Sequence, residues 1–362
     1  MKITIIAGAR PNFMKIAPLI KAVKKAQDEG KNIHYSLVHT GQHFDRNMSE
    51  TFFEQLQIPH PDVNLGCAGG TQAEQTSAIM IEFEKYLMAN PTDLVVVVGD
   101  VTSTMACSIV AKKLGTKVAH VEAGIRSWDM TMPEEINRIV TDSLADYFFT
   151  TTHIAGENLM RFGATEDRIF FVGNVMIDTL LANMERFRKP DIVDALALKE
   201  KEFIMLTLHR PANVDKAEKL KELMNEIVTN AHNLPIIFPI HPRTAKIFTD
   251  LGIAANNLHI VEPMGYLEFN YMVRQAKCVI TDSGGITEET TVMGVPCITL
   301  RDNTERPETV TTGTNELIGT NPKAIKPALD KLFNNQWKKG SIPELWDGHT
   351  AQRIIEILTE EL

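Results

Sequence analysis

The chain has 362 residues, of which 44% are apolar and 23% charged, and its formal net charge is −9. This length favours two domains, and this composition is typical of a soluble globular protein. The negative charge argues against sequence-independent nucleic-acid binding, and no apolar run approaches the roughly 20 residues that span a bilayer. Because the chain also begins directly with a strand and lacks a secretory signal pattern, we expect a cytoplasmic protein that binds neither nucleic acid nor a membrane.

The first half of the chain alternates between apolar strands and amphipathic helices. After the first strand, apolar residues recur at helical spacing from Phe13 to Val23. Two apolar runs flank a helical segment at 104–114, which is the pattern of a βαβ unit buried on both faces. The strands predicted in this half lie at 3–7, 34–39, 94–98, 117–121 and 147–151.

A second series of strands follows, again separated by helical segments, and the sequence therefore predicts an α/β protein with two doubly wound, Rossmann-like domains. The boundary lies either near Gly173 or in the polar stretch at 189–201, and we place it at Gly173, which gives an N-terminal domain at 1–172 and a C-terminal domain at 173–349. We expect the last helix, 350–362, to pack back onto the first domain. The strands predicted in the second series lie at 169–172, 203–208, 236–240, 259–261, 278–281 and 297–300.

The cysteines are isolated from one another, and their spacing matches neither a C-x-x-C pair nor a set of metal ligands. Isolated cysteines of this kind pack as small apolar residues. We expect reduced core thiols, and no metal site, at Cys67, Cys107, Cys278 and Cys297.

Polar and charged residues fall mainly at the carboxyl ends of the predicted strands. Open parallel sheets bind their ligands at this edge, and two such edges facing one another would enclose a site. We therefore expect the active site in the cleft between the two domains. The residues in these positions are Arg10, Gln42, Asp100, Glu122, His209, His241 and Asp282.

The segment after the strand at 278–281 passes through a glycine pair into a helix. Ser283, Gly284 and Gly285 would present the unpaired N–H groups of the helix's first turn to an anion such as phosphate. A plain strand–turn–helix junction is the alternative for this motif alone. Two neighbours favour the anion site, because Arg306 can bind the same anion and Glu289 can accept hydrogen bonds from a ribose diol.

The loop after the first strand, 8–15, resembles a phosphate-binding loop but lacks both G-x-G-x-x-G and the Lys-Ser/Thr ending of a P-loop. A dinucleotide fingerprint is therefore absent, and helix initiation at Pro11 is an equally good interpretation. An anionic ligand of this acidic protein must meet a local group of cations. The candidates are Arg10, Lys15, Arg126, Arg243 and Arg306.

Four side chains could carry acid/base chemistry, and each has a structural alternative. Asp100 is either a helix cap or an acid/base group, and Glu122 is either functional or paired with Arg126. Glu134 follows a proline and also fits a simple helix start. His209 could transfer protons near neutral pH or be a hydrogen-bonded structural residue.

As a group, these motifs make the chain resemble the non-hydrolysing UDP-N-acetylglucosamine 2-epimerases over nearly its whole length. The motifs are Gly8-x-Arg10-Pro11, Thr40-Gly-Gln42-His43, Gly99-Asp100, His120-Val-Glu122-Ala-Gly, Pro133-Glu-Glu-x-Asn-Arg138, His209-Arg210, His241-Pro-Arg243, Asp282-Ser-Gly-Gly and Arg301-Asp-x-Thr-Glu-Arg-Pro. The resemblance implies two domains of the glycosyltransferase-B type, a nucleotide held mainly by the second domain, and a homodimer.

The resemblance also implies roles for individual residues. Glu289 should hold the ribose, and Phe269 matches the segment that receives uracil. The catalytic group would be Asp100, Glu122, Glu134 and His209. The substrate-binding residues would further include Arg10, Lys15, Arg138, His241, Arg243, Ser283, Gly284, Gly285 and Arg306.

The activity implied is reversible interconversion of UDP-N-acetylglucosamine and UDP-N-acetylmannosamine, serving cell-surface polysaccharide synthesis. UDP would leave C1 with loss of the C2 proton, and re-addition to the resulting 2-acetamidoglucal would deliver a proton to the other face. Such a path requires acid/base groups and cations but neither NAD nor a metal. The alternatives are an epimerase of another UDP-2-acetamido sugar, such as UDP-2,3-diacetamido-glucuronate, a hydrolysing epimerase, a glycosyltransferase, or a binding protein without turnover.

One motif departs from the family pattern. Many bacterial relatives bind a second substrate molecule as an activator, through the Gln and His of the Thr-Gly-Gln-His motif and an Arg-Gln pair. Gln42 and His43 are present here and remain possible regulatory residues. Gly69 and Gly70 stand in place of the Arg-Gln pair, so we expect activation of that type to be absent.

Overall fold

The structure, a computed structural model, describes residues 1–41, 55–240, 248 and 252–360, apart from the side chains of Arg10, Pro11 and Pro211. Contacts within the chain divide it into two compact units. Unit 1 comprises Met1–Ala182 and Glu344–Leu362, and unit 2 comprises Asn183–Pro343.

Within the described residues, unit 1 contains a sheet of seven parallel strands in the order β3-β2-β1-β4-β5-β6-β7. The strands are β1 (Lys2–Ala7), β2 (His34–His39), β3 (Val63–Asn64), β4 (Leu94–Val98), β5 (Lys117–Ala123), β6 (Tyr147–Thr150) and β7 (Ile169–Phe171). The helices are α1 (Arg10–Asp28), α2 (Gln72–Ala89), α3 (Thr102–Lys113), α4 (Pro133–Leu144), α5 (His153–Arg161) and α6 (Val175–Asn183).

The described part of unit 2 contains six parallel strands in the order β10-β9-β8-β11-β12-β13. They are β8 (Ile204–Thr207), β9 (Ile236–Pro239), β10 (Leu258–Val261), β11 (Cys278–Thr281), β12 (Cys297–Thr299) and β13 (Asn315–Leu317). The helices are α7 (Ile192–Ala195), α8 (Pro211–Val214), α9 (Ala217–Asn230), α10 (Tyr266–Gln275), α11 (Gly284–Met293), α12 (Pro307–Thr311) and α13 (Ile325–Phe333). The last helix of the chain, α14 (Thr350–Glu360), belongs to unit 1.

In each sheet the first strand in sequence has an interior position. The next two strands in sequence lie on one side of it and the later strands on the other side, which is the strand order of a Rossmann fold. The strands are buried on both faces, so that Ile204 and Leu206 of β8 face one apolar cluster and Met205 faces another. The predicted class is therefore confirmed: each of the two units contains a doubly wound, Rossmann-like parallel sheet.

Two features of the strand prediction need correction. The strand predicted at 169–172 does not open the second series, because β7 pairs with β6 at the edge of the first sheet. The short strands β3 and β13 were not predicted, since two or three residues carry no periodic pattern and β13 contains Asn315 and Glu316.

The division between the units lies at 182/183, whereas the sequence suggested 172/173. Helix α6 and residues 344–349 stay with unit 1 because α6 contacts the last helix. The buried carboxylate of Asp178 accepts hydrogen bonds from the backbone N–H groups of Thr350 (3.1 Å) and Ala351 (2.7 Å) at the start of α14. Helix α14 then packs against α1, near whose end Lys31 pairs with Glu360.

The apolar segments form cores on the faces of the sheets. All five residues of β4 are buried, and all four cysteines of the chain are buried free thiols. Among the described helices, none is both long and apolar enough to cross a membrane.

Candidate active site

Asp100 and Arg138 form an ion pair at the carboxyl edge of the first sheet. Asp100 lies just beyond β4, and its Oδ2 accepts hydrogen bonds from Nε (3.1 Å) and Nη2 (2.6 Å) of Arg138 on α4. The Arg138 side chain is buried, whereas 24% of the Asp100 side chain is exposed. Val101, and not Asp100, is the N-cap of α3.

Glu122 has a strained backbone conformation near the end of β5. Its φ of 73° falls in the left-handed region, and the register between β5 and β6 shifts between Val121 and Ala123. Such a conformation is costly for a residue other than glycine, and it is a common feature of functional sites. The Glu122 carboxylate forms a buried ion pair with Lys15 of α1. The alternative pair with Arg126 is wrong, because Arg126 binds a different carboxylate.

Gly99 brings this ion pair next to Asp100. A Cβ atom at Gly99 would lie 2.9 Å from Nζ of Lys15 and 3.1 Å from Oε2 of Glu122, and its φ is 69°. Glycine is the residue that accepts this conformation while leaving room for the pair. Asp100, Glu122 and Lys15 are therefore neighbours at one edge of the sheet.

Helix α4 begins with a proline and carries two adjacent glutamates in different environments. Glu134 is exposed in the first turn. Glu135 is buried and accepts hydrogen bonds from the backbone N–H groups of Ser127 (2.9 Å) and Trp128 (3.1 Å), and from Nη1 of Arg138 (2.5 Å). We did not predict a role for Glu135, although its i, i+3 spacing to Arg138 is the signal of a helical ion pair.

His209 is paired with Asp282 at the carboxyl edge of the second sheet. Its Nδ1 lies 2.9 Å from Oδ1 of Asp282, and its side chain is 60% exposed while Asp282 is buried. Burial opposes the ionisation of Asp282, but His209 and the backbone N–H of Arg210 hold its pKa below the ordinary value. An ionised Asp282 keeps a proton on Nδ1, so that Nε2 is the ring nitrogen left to exchange a proton with a ligand.

The sequence placed Asp282 at a strand end but assigned it no role. Its carboxylate also accepts hydrogen bonds from the backbone of His209 and from Nδ2 of Asn213 (3.1 Å). Asp282 therefore fixes both the backbone and the ring of His209.

The predicted anion site lies at the N-terminus of α11. The helix begins at Gly284, and Ser283 is its N-cap without a side-chain capping bond. A Cβ atom at Gly284 would lie 2.5 Å from Oε1 of Glu305, which is paired with Arg301 at 2.6 Å. The first turn of α11 thus lies against a buried ion pair, and its N–H groups are those that a helix leaves without internal partners.

Arg306, Glu289 and Phe269 lie around the same helix. Nε of Arg306 is 2.8 Å from Oε1 of Glu288 on α11, and both side chains are buried. Burial raises the pKa of Glu289 to about 7, although hydrogen bonds from its neighbours on α10 act in the opposite direction. One of these neighbours is Asn270, whose Nδ2 lies 3.3 Å from Glu289, and the half-buried Phe269 precedes it.

Some predicted residues lie outside the part of the chain that the structure describes. These are Gln42, His43, His241, Arg243 and the side chain of Arg10. Gly69 and Gly70 are described, and their φ angles of 80° and 86° lie in the region that favours glycine. Both precede Thr71, the N-cap of α2.

Comparison with known proteins identifies relatives along the whole chain. A UDP-N-acetylglucosamine 2-epimerase from Methanocaldococcus jannaschii is 42% identical over 371 residues, which cover 99% of each chain. A UDP-2,3-diacetamido-2,3-dideoxy-D-glucuronate 2-epimerase from Pseudomonas aeruginosa is 42% identical over 367 residues, which cover 99% of this chain and 100% of the relative. The crystal structure of the M. jannaschii UDP-GlcNAc 2-epimerase in complex with UDP-GlcNAc and UDP matches with a TM-score of 0.87 and covers 99% of each chain.

The family match extends over residues 25–359. This match confirms the family resemblance that the sequence motifs indicated. The chain therefore belongs to the UDP-N-acetylglucosamine 2-epimerase family and is an isomerase.

Proposed function

We propose that the protein interconverts UDP-N-acetylglucosamine and UDP-N-acetylmannosamine by reversible epimerisation at C2. The observation that carries the proposal is the 42% identity over 99% of both chains to a UDP-N-acetylglucosamine 2-epimerase. The clustered carboxylates of unit 1 and the His209–Asp282 pair of unit 2 support it, because the reaction depends on proton transfer.

Unit 2 binds the nucleotide in this proposal. The N–H groups at the start of α11 and the guanidinium of Arg306 stabilise the diphosphate, whose charge increases as it leaves C1. Glu289 accepts hydrogen bonds from the ribose, and Phe269 lies against the uracil. The resemblance to the family adds His241 and Arg243 of unit 2, and Arg10 of unit 1, to the proposed diphosphate contacts.

Unit 1 supplies acid/base groups for the sugar. The C1–O bond breaks with its electron pair leaving on UDP, a base removes the C2 proton, and the C1–C2 double bond of 2-acetamidoglucal forms. UDP then adds back to C1 while an acid delivers a proton to the opposite face of C2. Asp100, Glu122 and Glu134 act in these transfers together with His209 of unit 2, while Lys15 and Arg138 orient the carboxylates of Glu122 and Asp100.

The protein acts as a cytoplasmic homodimer in this proposal, and its product feeds cell-surface polysaccharide synthesis. The buried free thiols are consistent with a reducing compartment. The dimer rests on the resemblance to the family alone.

The activity is tested by incubating the purified protein with UDP-N-acetylglucosamine in deuterated water and following the anomeric and C2 protons by NMR. We expect UDP-N-acetylmannosamine to form. Deuterium should appear at C2 of this product and also at C2 of the recovered UDP-N-acetylglucosamine. An epimer that contains no deuterium would contradict elimination and re-addition with solvent exchange. Stoichiometric release of free UDP would instead indicate a hydrolysing enzyme.

A second assay is needed to identify the substrate, because the relative from P. aeruginosa has the same percentage identity to this chain as the one from M. jannaschii. The same assay is run with UDP-2,3-diacetamido-glucuronate. We expect a kcat/KM for UDP-N-acetylglucosamine well above that for the uronate. The reverse order would overturn the proposed substrate while leaving the reaction type in place.

A further inference from the structure

One buried carboxylate, that of Asp142 near the end of α4, contacts the chain on both sides of Glu122. Its Oδ1 lies 2.6 Å from Nδ1 of His120. Its Oδ2 accepts a hydrogen bond from the backbone N–H of Gly124 (3.1 Å) and lies 2.7 Å from Nη1 of Arg126. His120 precedes Glu122 in β5, and Gly124 and Arg126 follow it. Asp142 therefore binds the chain on both sides of Glu122.

The same network reaches the loop that carries Asp100. Nε2 of His120 lies 2.8 Å from the carbonyl oxygen of Gly99. The ring of His120 therefore lies between the Asp142 carboxylate and the Gly99 carbonyl oxygen, with one nitrogen against each. Because Gly99 packs against the Lys15–Glu122 pair, His120 connects the end of β4 to the end of β5.

The segment that Asp142 holds is strained. Glu122 has a φ of 73° and Gly124 a φ of 79°, and a Cβ atom at Gly124 would lie 2.2 Å from the carbonyl oxygen of Ala155. A non-glycine residue remains in such a conformation only when its surroundings impose it. Burial opposes the ionisation of Asp142, but His120 and Arg126 hold its pKa below the ordinary value, so it is an anion that can bind three donors.

We propose that Asp142 is a positioning residue for Glu122: by binding His120, Gly124 and Arg126 it maintains the backbone bulge from which the Glu122 carboxylate reaches Lys15. Asp142 acts through Glu122 and does not touch the substrate. The inference rests on the proposed epimerase function, in which Glu122 exchanges a proton with the sugar.

The test is a double-mutant cycle with Asp142→Asn and Glu122→Gln. Asp142→Asn preserves the size of the side chain but turns one acceptor oxygen into a donor, which then faces donors of the network. We expect kcat to fall roughly 10- to 100-fold while KM changes by less than about twofold. In the Glu122→Gln background the same substitution should cause no further loss, because the group that Asp142 positions is already absent.

Asp146→Asn is the matched control. The Asp146 carboxylate accepts a hydrogen bond from the backbone N–H of Val118 (2.8 Å) and pairs with Lys112 (2.7 Å), so it anchors the beginning of β5. We expect this control to lower thermal stability while kcat per folded enzyme stays at the wild-type value. The proposal is overturned if Asp142→Asn behaves like the control, or if its effect adds to that of Glu122→Gln.

Two further measurements cover the remaining cases: kinetics of His120→Gln if Asp142→Asn folds poorly, and the crystal structure of a variant if the wild-type protein does not epimerise UDP-N-acetylglucosamine. His120→Gln can keep only one of the two ring contacts, and we expect a smaller loss of kcat that again disappears in the Glu122→Gln background. A crystal structure of either variant should show the Glu122 carboxylate displaced from Lys15. An unchanged Glu122 in that structure would refute the positioning role whatever the activity proves to be.

Discussion

Arg138 holds Asp100 through two nitrogen atoms, Nε at 3.1 Å and Nη2 at 2.6 Å, which both donate to one carboxylate oxygen. Its third nitrogen, Nη1, binds the buried Glu135 at 2.5 Å. The planar guanidinium therefore joins a carboxylate of the core to one at the sheet edge, a geometry that the single ammonium of a lysine does not reproduce. Asp100 is held in one orientation as a consequence.

Arg138→Lys should lower kcat by roughly tenfold or more, because the charge remains but the fork that orients Asp100 is lost. Steady-state kinetics on the folded variant measure the effect. Arg168→Lys serves as the control, since Arg168 donates to the backbone carbonyl oxygen of Asp146, away from the candidate site. Equal kinetics in the two variants would remove Arg138 from the orienting role.

His209→Asn should suppress turnover by roughly a hundredfold or more, the usual scale for a positioned acid/base group, while UDP binding changes little. Calorimetry of UDP binding separates the two effects. His153→Asn is the control, because His153 is also an exposed histidine paired with a carboxylate, in its case Glu344. Normal turnover in His209→Asn would show that His209 is a hydrogen-bonded structural residue and not an acid/base group.

Glu289→Gln should change how stability depends on pH. The folded protein holds the Glu289 proton up to a pKa of about 7, whereas an unfolded glutamate releases it at about 4.5. The raised folded pKa means that stability is highest below 4.5 and is lost as pH rises through 7, by on the order of 3 kcal/mol for this group.

A glutamine does not titrate, so only the wild type loses this contribution to stability as pH rises. The difference in melting temperature, Glu289→Gln minus wild type, should therefore be larger at pH 8 than at pH 5. Thermal unfolding at both pH values measures this difference. Glu222→Gln, an exposed substitution on α9, should show no such trend. A constant difference across this range would show that Glu289 is not titrating there.

UDP-N-acetylglucosamine should give hyperbolic kinetics, and UDP-N-acetylmannosamine alone should be epimerised without priming. By the resemblance to the family, Gly69 and Gly70 stand in place of the Arg-Gln pair of activator-binding relatives, so we expect a second nucleotide to lose a charge-assisted contact of roughly 1.5–3 kcal/mol. Initial rates in both directions measure this. A sigmoidal curve, or a reverse reaction that needs added UDP-N-acetylglucosamine, would contradict it.

Periodicity and strand-end polarity were enough to predict most strands of both sheets, the start of a helix at the glycine pair 284–285, and the placement of Asp100, Glu122 and His209 at sheet edges. These features depend on local pattern and on the geometry of parallel sheets. The partners of these side chains were less predictable, because they come from distant segments. Proximity in sequence suggested Arg126 as the partner of Glu122, but the bulge at Glu122 directs its carboxylate to Lys15, a contact between residues far apart in the chain.

Asp282 and Asp142 were missed as partners for the same reason. Each is a buried carboxylate whose donors come from other elements, and neither belongs to a pattern of local spacing. The end of unit 1 was misplaced because α6 follows Gly173 without a marked change in composition. Its attachment to unit 1 depends on the contact between Asp178 and residues at the other end of the chain.

The contact between Asp178 and the start of α14 can form only late in synthesis. Residues 183–343 are inserted between two parts of unit 1, so the ribosome releases α14 only after the whole of unit 2 has been synthesised. Unit 1 cannot complete its packing until then, and the surface of α1 against which α14 packs stays uncovered while unit 2 is free to fold. A fragment of residues 1–182 therefore lacks an integral part of its own domain, whereas residues 183–343 form a continuous segment.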